Sequence, residues 1–180
     1  MKNYKKYFLS ILTISTIYCV SEAGAVFLLI NPGASAQGTG EAQVAKADDA
    51  YASYYNPAGL GFLRGSEIVL QHVNWLPNLV SDIFYDFIGF TSSKNGTGFG
   101  GHLIYINLGE QQHTCENPED VWGTFKSFDI CLTGSYGTKV NSKSAVGFNF
   151  KVYIKRYRNS LTYPVKTIYI MIEPARKYHH

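Results

Sequence analysis

The stretch Ser127-Phe128-Asp129-Ile130-Cys131-Leu132-Thr133-Gly134-Ser135-Tyr136 decides the fold. Phe128, Ile130, Leu132 and Tyr136 share one parity, and Ser127, Asp129, Thr133 and Ser135 share the other. Successive side chains of a strand point to opposite faces, so this period of two describes a strand with one apolar and one polar face. Downstream, Val146, Phe148, Phe150, Val152 and Ile154 alternate in the same way with Gly147, Asn149, Lys151 and Lys155. Upstream, Ile83, Tyr85 and Phe87 oppose Asp82 and Asp86, which predicts an apolar face carried by the first set. Glu67 to Trp75 and Phe99 to Leu108 divide less cleanly. About five strands are expected across residues 66–155 at roughly ten residues each.

Runs of about nine to eleven residues suit a tilted strand crossing a bilayer, whereas strands of soluble domains center on about five or six. A soluble β-sandwich would share the period. The 14 Tyr and 11 Phe favor a membrane sheet with aromatics at its interfaces. Connection lengths agree, because bacterial barrels alternate short periplasmic turns with longer outer loops. Ser92 to Thr97 contains the hairpin pair Asn95-Gly96, Gly109 to Thr124 reads as a long polar loop, and Gly137 to Ser144 is short again. The periplasmic side therefore takes Asn95-Gly96 and Lys139-Val140-Asn141. The outer side takes Leu76 to Ser81 and Glu110 to Asp120.

Before the strands, residues 1–25 read as a secretory signal. Lys2, Lys5 and Lys6 precede an apolar run from Tyr7 to Val20, and Ala23-Gly24-Ala25 supplies small residues for cleavage. The whole chain carries +3, and loss of those three lysines with Glu22 leaves one net positive charge. That balance, with no accompanying motif, excludes a nucleic-acid footprint, and the cluster Lys151, Lys155, Arg156 and Arg158 reads as a solvated strand end. Cys115 and Cys131 are the cysteines left beyond the signal, so one disulfide is open to them.

Chemistry-bearing patterns are sparse. Gly96-Thr97-Gly98-Phe99-Gly100-Gly101 has neither the Lys-Ser/Thr of a phosphate loop nor the context of a dinucleotide site, and reads as a turn and a strand start that needs small residues. Asp48 and Asp49 have no third ligand spaced for a metal and read as helix capping or solvation. His72, His102 and His113 are scattered singly, as lumen or loop residues. No cofactor, metal site or catalytic constellation is expected, so the chain is not read as an enzyme.

Three segments carry a family resemblance. The first joins Phe27-Leu28-Leu29-Ile30-Asn31-Pro32-Gly33-Ala34, Ala47-Asp48-Asp49-Ala50 and Asn56-Pro57-Ala58-Gly59-Leu60; the second is Trp75-Leu76-Pro77-Asn78-Leu79-Val80-Ser81-Asp82-Ile83; the third is Tyr105-Ile106-Asn107-Leu108-Gly109-Glu110. Over residues 27–155 the chain resembles the PorV/PorQ family of outer-membrane proteins, relatives of the FadL fatty-acid channel, with the PorV subgroup of the type IX secretion system favored. The resemblance implies an all-β fold, the N-terminal part of a FadL-like antiparallel transmembrane β-barrel. A small helical plug over residues 26–65 would carry the motif Asn31, Pro32, Gly33, Asp48, Asp49, Asn56, Pro57 and Gly59. A helical hairpin outside the sheet is the alternative.

The resemblance further implies a Gram-negative outer-membrane location, with lipid, a secretion translocon and cargo proteins as partners. A channel for a hydrophobic ligand is the competing function, and a soluble periplasmic β-protein is the third. The strands with clean alternation give lumen residues Ser127, Asp129, Thr133, Ser135, Asn149 and Lys151, whose polarity favors partner binding. Trp75, Leu76, Pro77, Asn78 and Leu79 are the expected contact surface, or else an interfacial aromatic anchor. Five strands cannot close even a barrel of about eight. Residues 156–180 form an atypical tail with at most one or two further strands, and a truncated or frameshifted chain is expected.

Overall fold

The computed structural model describes residues 26–75, 77–78, 80, 82–114, 121–159 and 165–178. The signal reading, Leu76, Leu79, Ser81 and Cys115 lie outside the described residues. The chain divides into two compact units, Met1–Ile30 and Asn31–His180. Of the first, the described part is a 3-10 turn at Val26–Leu29.

The second unit is a six-stranded antiparallel sheet in which every strand pairs with its neighbor in sequence. The strands are β1 (Gly65–Asn74), β2 (Ile83–Lys94), β3 (Thr97–Thr114), β4 (Val121–Lys139), β5 (Ser144–Asn159) and β6 (Val165–Tyr178). Among the described residues, β1 and β6 are the edges and the sheet is not closed. Three short helices, α1 (Ala34–Gly38), α2 (Gln43–Lys46) and α3 (Ala52–Tyr55), and a 3-10 helix at Pro57–Gly61 precede β1. They cover one face of the sheet and leave the other open.

Two connections differ from expectation. The presumed loop from Gly109 to Thr124 is mostly ladder, with Glu110 opposite Lys126 and Thr114 opposite Val121 after register shifts. Polar side chains serve a strand well once both of its faces meet water, so polarity there did not mean a loop. The tail contributes β6, paired from Tyr157↔Val165 to Ser144↔Tyr178. The tight end behaves as its sequence suggests: Asn95 (φ 55°) and Gly96 (φ 79°) take the left-handed conformations that a two-residue hairpin turn needs.

The open face carries Ile68, Leu70, Ile88, Phe90, Phe99, Leu132, Val146, Phe148 and Phe150, all exposed. Its aromatics form two rows. Phe99, Tyr136 and Phe148 are directly paired across β3, β4 and β5 near the turn end, with ring centroids 5.2 and 5.5 Å apart. Phe84, Tyr105 and Phe128 form the second row toward the loop end, at 5.8 and 5.7 Å. Such cross-strand aromatic pairs each add of order 0.2–1 kcal/mol to a ladder.

β4 and β5 present their faces as the alternation predicts: Ser127, Asp129, Thr133, Ser135 and Asn149 are buried on the covered face. β2 is the reverse of expectation. Tyr85 and Phe87 are almost fully buried on the covered face, and Asp86 shares the open face with Phe84, Ile88 and Phe90. The aromatic pair meets the N-terminal helices, with Tyr51 stacked on Phe87 at 5.3 Å, so its hydrophobicity marks that contact and not the apolar exterior.

Candidate functional site

The covered face and the segment on it form the most constrained part of the molecule. At its foot is a row of small residues that no linear spacing reveals. Gly98 pairs with Gly137, and Gly137 pairs with Gly147, so three glycines lie side by side across β3, β4 and β5. The backbone of Pro57–Leu60 rests directly on them. A Cβ on Gly137 would stand 2.1 Å from the Pro57 carbonyl oxygen, one on Gly147 2.5 Å from the Ala58 nitrogen, and one on Gly98 2.2 Å from Ser93 Oγ and 2.6 Å from the Leu60 oxygen. No side chain fits where backbone meets backbone this closely.

The segment is shaped to lie there by Asn56. It adopts extended backbone before Pro57 (φ −160°, ψ 97°), as the proline ring demands of its predecessor. Its Oδ1 accepts from the Ala58 N–H at 3.1 Å, and its Nδ2 donates to the Val44 carbonyl at 3.1 Å. One buried amide thereby caps the 3-10 helix and ties it to α2. Gly59 closes the same corner, since a Cβ would meet the Ala47 oxygen at 2.4 Å.

Higher up, the carbonyl of Ser53 accepts from Asn149 Nδ2 at 3.1 Å and from Ser135 Oγ at 3.3 Å. Ser53 Oγ is hydrogen-bonded to His102 Nδ1 at 3.0 Å, and the His102 ring stacks on Phe87 at 5.4 Å. One serine of α3 thus bonds to β3, β4 and β5. At the start of the segment the Gly33 N–H donates to Gln71 Oε1 at 2.7 Å, and Tyr51 donates its hydroxyl to the same oxygen at 3.2 Å. Gly33 has φ 96°, and a Cβ would meet the Tyr51 ring at 3.3 Å. Tyr54 donates to Asn31 Oδ1, and Tyr55 donates to the Pro32 carbonyl at 2.6 Å. Burial, then the charges of Glu41 and Asp49, push the Tyr55 phenol up to about 12. Tyr51 is raised by burial and by Asp49 and Glu67. Both phenols stay neutral donors at physiological pH.

The acidic pair divides its work. Asp49 accepts from the Tyr51 N–H at 3.0 Å and from Gln43 Nε2 at 3.1 Å, just ahead of α3. Asp48 is exposed and 3.5 Å from Lys46. No group of three or more acidic, His or Cys side chains suited to a metal occurs among the described residues. Cys131 is a buried free thiol on the covered face.

The connection from β1 to β2 is anchored at its two ends. Trp75 is 39% exposed, with its backbone N–H donating to the Ile83 carbonyl at 2.9 Å, and Pro77 and Asn78 are exposed in the turn. Asp82 fixes the far side of the turn: its Oδ2 accepts from the Glu110 N–H at 2.8 Å, and its carbonyl accepts from Asn107 Nδ2 at 2.7 Å. Gly109 (φ 71°) makes room, because a Cβ there would fall 2.6 Å from Asp82 Oδ1. The second and third motifs, read separately in the sequence, are the two halves of one junction. Hydrogen bonds from Thr124 and Lys126 hold the Glu110 carboxyl below its usual range beyond this bulge.

A family model described as type IX secretion system protein PorV matches residues 18–162. The chain belongs to the PorV family. It is therefore a component of the type IX secretion system, an outer-membrane apparatus, in a family of secretion components rather than of enzymes. No curated protein and no solved structure matches the chain. The match spans all three motifs of this PorV-family chain and the whole of the contact between its N-terminal segment and the strands.

Proposed function

We propose that this PorV-family chain is a membrane-embedded, plugged barrel wall that binds the secretion translocon and its cargo through the outer connection. The observation that carries this reading is the asymmetry of the sheet: one face is sealed by the chain's own segment, and the other is apolar between two aromatic rows. Phe128 and Tyr136 stand eight residues apart on β4, about 26 Å at roughly 3.3 Å per residue. A tilt of about 40° reduces this to about 20 Å of height, close to the apolar band of about 25 Å between aromatic girdles in outer-membrane barrels. The turn end is then periplasmic, and residues 1–25 are the signal that exports the chain.

Trp75, Pro77 and Asn78 project beyond the loop-end row on a turn pinned by Asp82. A rigid, partly exposed tryptophan is the type of anchor that dominates protein interfaces. Leu76 and Leu79 complete the proposed surface. Capture of a cargo C-terminal domain, and of the translocon, by detergent-solubilized membranes holding wild type or Trp75→Ala tests the role. Loss of capture with retained folding is expected; unchanged capture by a Trp75→Ala, Pro77→Ala, Asn78→Ala triple variant would remove this surface from the reading.

A channel for hydrophobic compounds remains the second reading, because the covered face is not uniformly polar. Tyr85, Phe87, Ile104, Ile106 and Tyr153 are buried on it beside the polar residues that the sequence foresaw. Uptake of a fatty acid into vesicles that depends on the protein would favor this reading.

A further inference from the structure

At the turn end, below the glycine row, a pocket of about 540 Å³ opens between the N-terminal segment and the β2–β3 hairpin. Arg64, Lys94 and Lys139 line it, and no carboxylate does. Lys139 Nζ is held 4.9 Å above the center of the Phe62 ring, which fixes one of the three cations at the rim. Ser93 also borders the pocket. Its side chain is buried, with Oγ turned onto Gly98 at the end of the glycine row and closed off from the pocket.

We infer that this pocket binds a phosphate group, with Arg64, Lys94 and Lys139 neutralizing its charge. The position names the favored source. Ser92 pairs with Phe99 of the turn-end aromatic row, so Ser93 and Lys94 lie one and two residues past that row, about 3–7 Å along the strand. Phospholipid headgroups of the periplasmic leaflet occupy that level if the open face meets lipid. The lipid source rests on the membrane placement proposed above; the phosphate chemistry does not. A bound headgroup would brace the short connection between the segment and β1 against the hairpin.

Native mass spectrometry of the full chain, released from neutral detergent micelles doped with phosphatidylglycerol, reads the site directly. One retained lipid is expected. The variant R64Q/K94Q/K139Q should lose affinity by at least about tenfold, since each cation near an anionic headgroup contributes about 1 kcal/mol. All three side chains are exposed, so folding should survive, as a heat-modifiable band on a cold gel would show. K126Q, at the opposite end of β4, should change nothing, and K94R/K139R should retain the lipid. Displacement of the lipid by excess inorganic phosphate would identify phosphate itself as the recognized group, and retention would assign the lipid. Equal lipid retention by wild type and the folded triple variant overturns the site, as does the absence of any retained lipid together with an unshifted phosphorus NMR signal for inorganic phosphate.

Discussion

β4 and β2 lie in one sheet, with β3 between them, yet they distribute their side chains by different rules. In β4 the covered face is small and polar, from Ser127 to Gly137, and the open face is Phe128, Ile130, Leu132 and Tyr136. In β2 both faces hold aromatics: Tyr85 and Phe87 under the N-terminal segment, Phe84 and Phe90 on the open side. The difference teaches that hydrophobic alternation reports the medium on each face only where one face lacks apolar company. Opposite α3 the covering segment is itself aromatic, so β2 is apolar on both sides. Asp86 then became a misleading marker. It sits on the open face because His72 of β1 meets it there, at 2.6 Å, beside the loop-end aromatic row.

The sharpest way to break the comparison is within β4 itself. Gly134 and Gly137 share a strand, but a Cβ on Gly134 meets nothing within 4 Å whereas one on Gly137 strikes the Pro57 carbonyl. Gly137→Val is expected to destabilize the fold by about 3 kcal/mol or more, as forced overpacking does, and Gly134→Val by no more than a few tenths. Urea titration in detergent with a folding-sensitive gel shift measures both. Next in size is Asn56→Ala, which strands the buried Ala58 N–H and removes the partner of the partly buried Val44 carbonyl. A loss of about 1–3 kcal/mol is expected in the same titration. His102→Phe keeps the stack on Phe87 but removes the shorter of the two hydrogen bonds of Ser53 Oγ, leaving the 3.5 Å bond to the Ala50 carbonyl, with an expected loss of about 1 kcal/mol.

The smallest effect concerns pH. The Tyr55 phenol is raised when folded, so it holds its proton, and the bond to Pro32, past the unfolded value near 10. Its contribution is complete below about pH 10 and lost as the pH rises through about 12. Difference titration of wild type against Tyr55→Phe at the tyrosinate absorbance band should therefore show the missing ionization near pH 12 in the folded chain and near pH 10 in urea.

Much of this was legible in the sequence, and the failures have physical causes. The faces of β4 and β5 follow from period two because the N-terminal segment covers their small, polar side and leaves the apolar side open. The Asn95-Gly96 turn follows from its positive φ angles. Ladder beyond the aromatic rows was hidden because Glu110 to Thr114 is polar on both faces. β6 was hidden because Val165 to Ile172 does not alternate. The glycine row was invisible for a different reason: Gly98, Gly137 and Gly147 become neighbors only once the register is known. The same holds for Asp82 and Gly109, whose two motifs meet only across the paired strands. Asn56 and Pro57 were readable as a fixed corner, but not the surface that receives it.

The claim on which the rest depends is that the open face of β4 meets lipid while its other face meets the chain's own segment. Nitroxide labels placed singly at residues 128 to 136, with the protein in lipid nanodiscs, test it through collision with oxygen, which concentrates in the bilayer. Oxygen accessibility should rise at 130, 132 and 134 and fall at 129, 131, 133 and 135, in a period of two. A flat profile, or one of opposite phase, would contradict the placement.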